Sequence, residues 1–254
     1  MLKGIVWILL LPLVVAAPSC RLTLSSDDAQ RCSQNADSNS DLALHYCTAA
    51  IQSGRLSEAA FAGTLYNRGN AYDDKGDYDR AIQDLDQAIR LKPDDARAFF
   101  SRGLDRFFLA QFTAAQEDLT LALRNDRTNQ YSAIWLYLAR ARNGQDGSGE
   151  LGKNTATLKL TTWPGPVINF YLGKITSSAL LQAANDADPK KDKEQHCEVN
   201  FYLGEDGLLR GQQEDAIRYF RSSLATGVTD FYEYRGAKAE LKRMQVAQAA
   251  DRQR

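Results

Sequence analysis

Gly69 and Gly103 stand 34 residues apart, and the residues around them repeat at that same spacing. Leu65 returns as Phe99, Tyr78 as Phe112, Ala81 as Ala115, Leu85 as Leu119 and Ala88 as Ala122. A self-match at a fixed period of this length marks an array of stacked units, each too small to bury its apolar face alone. The physics of the residue types points to two helices joined by a turn. Antiparallel helices approach closely only where small side chains meet, so Gly69 is expected against Ala81, with Leu85 and Tyr78 filling the space beside that contact. Pro93 forbids continuation of the second helix and turns the chain into the next unit. Arg127 holds the equivalent place one repeat later, a softer stop.

The same spacing extends outward. Ala43, Cys47 and Ala50 reproduce the interval of Ala81, Leu85 and Ala88, and the same offset puts Cys32 beside the close-contact position. Cys32 and Cys47 are therefore expected to face each other across one hairpin and to form a disulfide. Gly204, Gly211, Ala216 and Phe220 repeat the interval of Gly69, Gly76, Ala81 and Leu85. The organisation that results is an all-α solenoid over 29–246. Its clear repeats are 62–95, 96–129 and 197–230, its degenerate stretches 29–54 and 130–196, and a C-terminal helix caps it. A polar leader precedes it at 20–28, and 247–254 is expected to be a disordered tail. Between the clear repeats, Tyr131 to Arg142 reads as a helix, and 143–162 as a short helix or a loop. Trp163-Pro164-Gly165-Pro166 reads as a rigid turn, and 188–195 as a charged loop.

Residues 1–19 are a different object. A short positive start is followed by an apolar run from Ile5 to Ala17, too short for a bilayer-spanning helix, with small residues behind it. This reads as a signal peptide for export. Val14 to Cys20 resembles a bacterial lipoprotein signal, in which Cys20 would carry lipid; Ala17 and Pro18 depart from that pattern, and cleavage after Ala16 would give a soluble exported protein. If Cys20 is not lipidated it could pair with Cys197; otherwise Cys197 is a buried free thiol. Lys plus Arg (31) nearly cancels Asp plus Glu (32), so no overall field favours nucleic acid or an anionic membrane surface.

With seven or more positions agreeing at a period of 34, the chain resembles the tetratricopeptide repeat over 62–129. A narrower resemblance rests on WLYLA at 135–139, the Trp163 segment with FYLG at 170–173, NFYLG at 200–204 and FYEYRGAKAEL ending at Leu241. These occur in the order found in the NlpI-type tetratricopeptide lipoproteins of bacterial envelopes. That resemblance implies a non-enzymatic adaptor or scaffold in the periplasm, tethered to the outer membrane if Cys20 carries lipid. Its implied partners are peptidoglycan hydrolases or a tail-specific protease, and it implies a homodimer. The cysteine hairpin is a departure from the family.

Candidate chemistry is sparse. Gly147 to Asn154 almost spells a phosphate-binding loop, but Asn154 stands where Ser or Thr must hold Mg²⁺, and the preceding segment is helical. A flexible linker is the expected structure there, with a nucleotide-binding enzyme as the rival reading and a structural subunit of an envelope assembly as another. Asp37 to Asp41 resembles the start of a calcium loop, but Leu42 occupies the place that needs Gly. His45 and His196 have no metal-ligand spacing around them. No cofactor and no metal site is expected.

The expected site is a protein-binding groove. First helices of stacked hairpins line the concave face, which would present Tyr66, Asn67 and Asn70 from one repeat and Arg97, Phe100, Ser101 and Leu104 from the next. Asn amides can pair with an extended peptide backbone, and Arg97 with a carboxylate. Phe100, Phe107, Phe108 and Trp135 offer aromatic anchors; for the last three, core packing is the competing reading. Phe201, Tyr202, Phe231, Tyr232 and Tyr234 form a second candidate surface, with packing under the final helix as its alternative.

Overall fold

Hairpins of antiparallel helices follow one another along the computed structural model, which describes residues 20–36 and 38–251 and contains only helices as regular elements among them. The pairs are α1 (Cys20–Asn35) with α2 (Ser40–Gln52), α3 (Glu58–Asp74) with α4 (Tyr78–Leu91), and α5 (Ala96–Phe108) with α6 (Phe112–Asn125). Next come α7 (Gln130–Arg142) with α8 (Ser148–Thr155), α9 (Gly165–Tyr171) with α10 (Ser177–Ala183), α11 (Pro189–Leu209) with α12 (Gln213–Ala225), and then a single α13 (Tyr232–Asp251).

The spacing of small residues acts as expected. A Cβ on Gly69 would sit 3.1 Å from Leu85 and 3.3 Å from the Ala81 carbonyl oxygen, and one on Gly103 would be 2.9 Å from Leu119. At Gly204 it would meet the Phe220 ring at 2.5 Å, so the third recognised hairpin uses the same contact with a larger partner. Beside it, a bidentate ion pair recurs at the period: Arg68 Nε and Nη2 donate to Asp84 at 2.7 and 2.8 Å, and Arg102 Nε and Nη2 to Asp118 at 2.9 and 2.6 Å. In the hairpin of α11 and α12 the equivalent positions are Leu203 and Tyr219, so this latch is absent there.

The turns repeat as well. Gly76, Ala110, Gly144 and Gly211 all take the left-handed conformation, with φ of 74°, 60°, 73° and 72°. After each, the next N–H reaches back five residues to a helical carbonyl, for example Asp77 to Tyr72 and Gln111 to Arg106, which closes the end of the first helix. Gly144 shows that α7 opens a further unit in phase with the first two. That unit is degenerate because Tyr137 stands 34 residues after Gly103. A side chain of that size forbids the close approach, and Tyr137 instead packs on Tyr171 with ring centroids 4.7 Å apart.

Cys32 and Cys47 are bonded across α1 and α2, with Cα atoms 4.8 Å apart, as their spacing predicted. Cys197 is a buried free thiol lying against Ser223, and burial pushes it up to about 11. The expected leader and loops are more ordered than the sequence suggested. The stretch 20–28 is the first part of α1. The stretch 188–195 opens α11, where the Asp188 side chain accepts from the Lys190 N–H and Pro189 fits the first turn. Of the expected linker at 147–154, all but Gly147 lies in α8, which is the short-helix alternative for 143–162, and α13 runs on through Asp251. The signal at 1–19 and the Cys20 side chain lie outside the described residues. The largest departure is α13, which does not simply close the end of the stack.

Ala110 is the one described non-glycine residue with positive φ, where an L side chain crowds the following carbonyl. Ala110→Gly is expected to raise stability by roughly 0.5–1 kcal/mol, read as a higher urea midpoint with an unchanged slope.

Candidate protein-binding groove

Helices α3, α5, α7 and α11 are the first helices of their hairpins, the row that lines the inner side of such a stack. α13 lies against all four. It crosses α5 and α11 at Gly236, where a Cβ would be 2.6 Å from Phe201 and 3.2 Å from Phe108. Tyr232 meets Phe100 edge-on at 5.7 Å, and Ala237 is fully buried. The inner groove is thus filled along much of its length by the chain's own last helix.

Three buried polar clusters fix that helix in place. Arg235 pairs with Asp73 at 3.2 Å and Asp74 at 2.5 Å on α3. Glu233 accepts from the Tyr202 hydroxyl at 2.6 Å. Glu240 and Glu205 both accept from Arg142 Nη1 at 2.9 Å, and Arg243 pairs with Glu240 and donates to the Phe108 carbonyl at 3.0 Å. Each cluster brings two acidic groups together away from water. Burial raises Asp73 to about 6 and holds the neighbouring Asp105 well above the usual carboxylate range, with Arg235 opposing both shifts. Burial raises Glu198 and Glu233, which also repel each other at Glu198. Glu205 is raised to about 7 by burial and by Glu240, against the pull of Arg142.

This arrangement reassigns several expected groove residues. Ser101, Leu104 and Trp135 are buried inside the chain and are not open to a partner. Ser101 lies against Tyr232. Trp135 stacks on Phe201 at 5.0 Å, with Phe107, Phe108 and Tyr202 around its edges. The aromatic anchors and the second aromatic surface prove to be largely one core, because Phe107, Phe108, Phe201 and Tyr202 are buried too. Phe100 is half-covered by Tyr232.

What stays accessible is the part of the row that α13 does not reach. Tyr66, Asn67 and Asn70 on α3 are half-buried, and the Arg97 side chain on α5 is 69% exposed. Arg97 lies over the Tyr66 ring at 5.1 Å and is held by Asp95 at 3.2 Å, which fixes its guanidinium beside that ring. Asn70 Oδ1 is buried and has no hydrogen-bond partner within the chain, so the open amide of the strip is that of Asn67. Where α13 leaves the groove, a recess of about 800 Å³ opens between Asp74, Asp77 and Asp79 on one side and Lys238, Lys242 and Arg243 on the other. The segment 147–154 supplies no phosphate-cradling loop: it is helical from Ser148 on, and no strand precedes it among the described residues.

Sequence reasoning missed the inserted helix and the ion-pair ladder. The ladder had a signal, since Arg68 and Arg102, like Asp84 and Asp118, are 34 apart. The buried acids generate a pH dependence. A carboxyl with a higher pKa in the folded than in the unfolded chain stabilises the fold when protonated, and that contribution is lost as pH rises through the folded value. For Asp73 the loss runs from about 3.8 to about 6, and for Glu205 from 4.5 to about 7. Asp105→Asn, which removes the charge facing Asp73, is expected to gain stability over the parent chain as pH rises from 4 to 7. Urea midpoints of both proteins across that range test it; a constant difference would contradict the coupling.

Residues 62–95 match the family described as tetratricopeptide repeat. Among solved structures, a tetratricopeptide repeat protein from Parabacteroides merdae is 18% identical, covering 89% of this chain and 86% of that one, with a TM-score of 0.48. A MamA fragment from Desulfovibrio magneticus RS-1 is 18% identical over 83% of this chain and 97% of that one, with a TM-score of 0.44. A MamA double mutant from RS-1 gives the same identity and coverage at 0.45. Residues 62–95 are thus a tetratricopeptide repeat, and the same contact, latch and turn recur in the hairpin that follows.

Proposed function

We propose that this protein is an exported adaptor that holds other envelope proteins in the bacterial periplasm, bringing together peptidoglycan hydrolases or a periplasmic protease. Tetratricopeptide solenoids generally serve protein–protein interaction, and the repeat at 62–95 supports that general role here. The finer reading draws on the export signal at 1–19, on the NlpI-type resemblance, and on the open strip at Tyr66, Asn67, Asn70 and Arg97. The strip carries the most weight. It offers amide donors and acceptors that suit any peptide backbone, next to one oriented cation that suits an acidic side chain or chain end. A homodimer and a lipid tether at Cys20 belong to the same proposal.

Capture from envelope extract on the immobilised protein tests this reading. The wild-type chain is expected to retain a hydrolase or a protease, and Asn67→Ala combined with Asn70→Ala and Arg97→Glu is expected to lower retention at least tenfold. Absence of both enzyme types from the wild-type eluate counts against the proposal. Intact mass of the mature chain reads the export signal, the Cys20 lipid and the disulfide together.

A further inference from the structure

Lys153, the residue that makes 147–154 look like a phosphate loop, sits in the last turn of α8 and faces a recess of about 390 Å³. Arg124 from the last turn of α6 and Arg127 from the connection to α7 line the same recess. These three cations come from three separate segments, and none forms an ion pair with another described residue. Basic side chains at helix C-termini are ordinarily explained by the helix dipole. That explanation covers Arg124 and Lys153 one by one; it does not cover their convergence with Arg127 on one concavity.

The rest of the lining narrows the ligand. Glu150, the one carboxylate there, is already taken up by Arg140 at 2.5 Å, so its charge is compensated. Asn154 and Thr157 add an amide and a hydroxyl at the rim. The rest of the lining is the buried Leu123 and Leu136 with Thr120, whose hydroxyl is already spent on the Gln116 carbonyl at 2.8 Å. No aromatic side chain lines the recess, so nothing there stacks on a nucleobase. Cations at a rim above an apolar floor match an anion that carries its own apolar portion.

We propose that this recess between α6, α7 and α8 binds a compact oxyanion, phosphate or carboxylate, carried on a short apolar stem. The site is separate from the open strip on α3 and α5, and it stands whether or not that strip binds proteins. Isothermal titration with octyl phosphate, octanoate and inorganic phosphate tests it on the full chain. The parent protein is compared with the triple variant Arg124→Gln, Arg127→Gln and Lys153→Gln. A charge-matched control carries Lys190→Gln, Lys191→Gln and Lys193→Gln on the first turns of α11. At least one amphiphilic anion is expected to bind parent and control alike, at least tenfold more weakly to the triple variant. Inorganic phosphate is expected to bind at least tenfold more weakly than octyl phosphate. Which of octyl phosphate and octanoate binds tighter assigns the head group. Equal binding by parent and triple variant, no binding of either amphiphile to the parent, or equal binding of octyl and inorganic phosphate would overturn the proposal.

Discussion

The guanidinium of Arg142 holds three parts of this chain together. It rises from α7 between Glu205 of α11 and Glu240 of α13, with Phe112 4.7 Å beneath it. Taking those charges from water is costly, and losing one partner of such a buried set typically costs about 3–5 kcal/mol. Apolar packing alone would let a helix slide or rotate in a groove. A charge that must meet two named carboxylates admits one position, and Arg235 with Asp73 imposes a second constraint on the same helix. Gly236, pressed against Phe201, then fits because the register is already set.

That inserted helix changes what a concave surface means here. In an open stack, the first helices would offer a continuous channel to a partner. In this chain the channel is internal structure over α5, α7 and α11, and only its N-terminal part remains surface. The surviving strip borders the hairpin closed by Cys32 and Cys47, so the covalent staple stiffens the neighbour of the accessible region rather than the occupied one. The motifs behind the narrower family resemblance also acquire a physical reading. Trp135, Phe201, Tyr202 and Arg235 lie where the returning helix meets the stack, and Tyr171 joins them by donating to the Tyr202 carbonyl at 2.9 Å.

The fold was legible in the sequence wherever one small residue decided one contact. Gly69, Gly103 and Gly204 fixed three hairpins, and the Cys32–Cys47 pairing followed from the same interval. The reading failed where the rule had an exception or no local expression. Ala110 occupies a turn position that calls for glycine, and Tyr137 displaces a glycine and hides the phase of the fourth hairpin. Asp188-Pro189 was a legible helix start that the surrounding charges obscured. The groove was half legible. The spacing picked out the correct row of helices, but not which of their faces another helix would cover. Glu233, Arg235 and Glu240 gave no local signal of burial, because charged side chains are seldom buried unless paired, and their partners are 31 to 162 residues away.

A repeat array ordinarily evolves by gaining or losing whole units, since each touches only its neighbours. Helix α13 removes that freedom. Its 20 residues span about 30 Å, and its charges must reach α3, α7 and α11 at once. Inserting or deleting a hairpin between α3 and α11 would move those partners out of reach together. The last helix therefore works as a ruler, and the number of units it measures is part of what the sequence specifies.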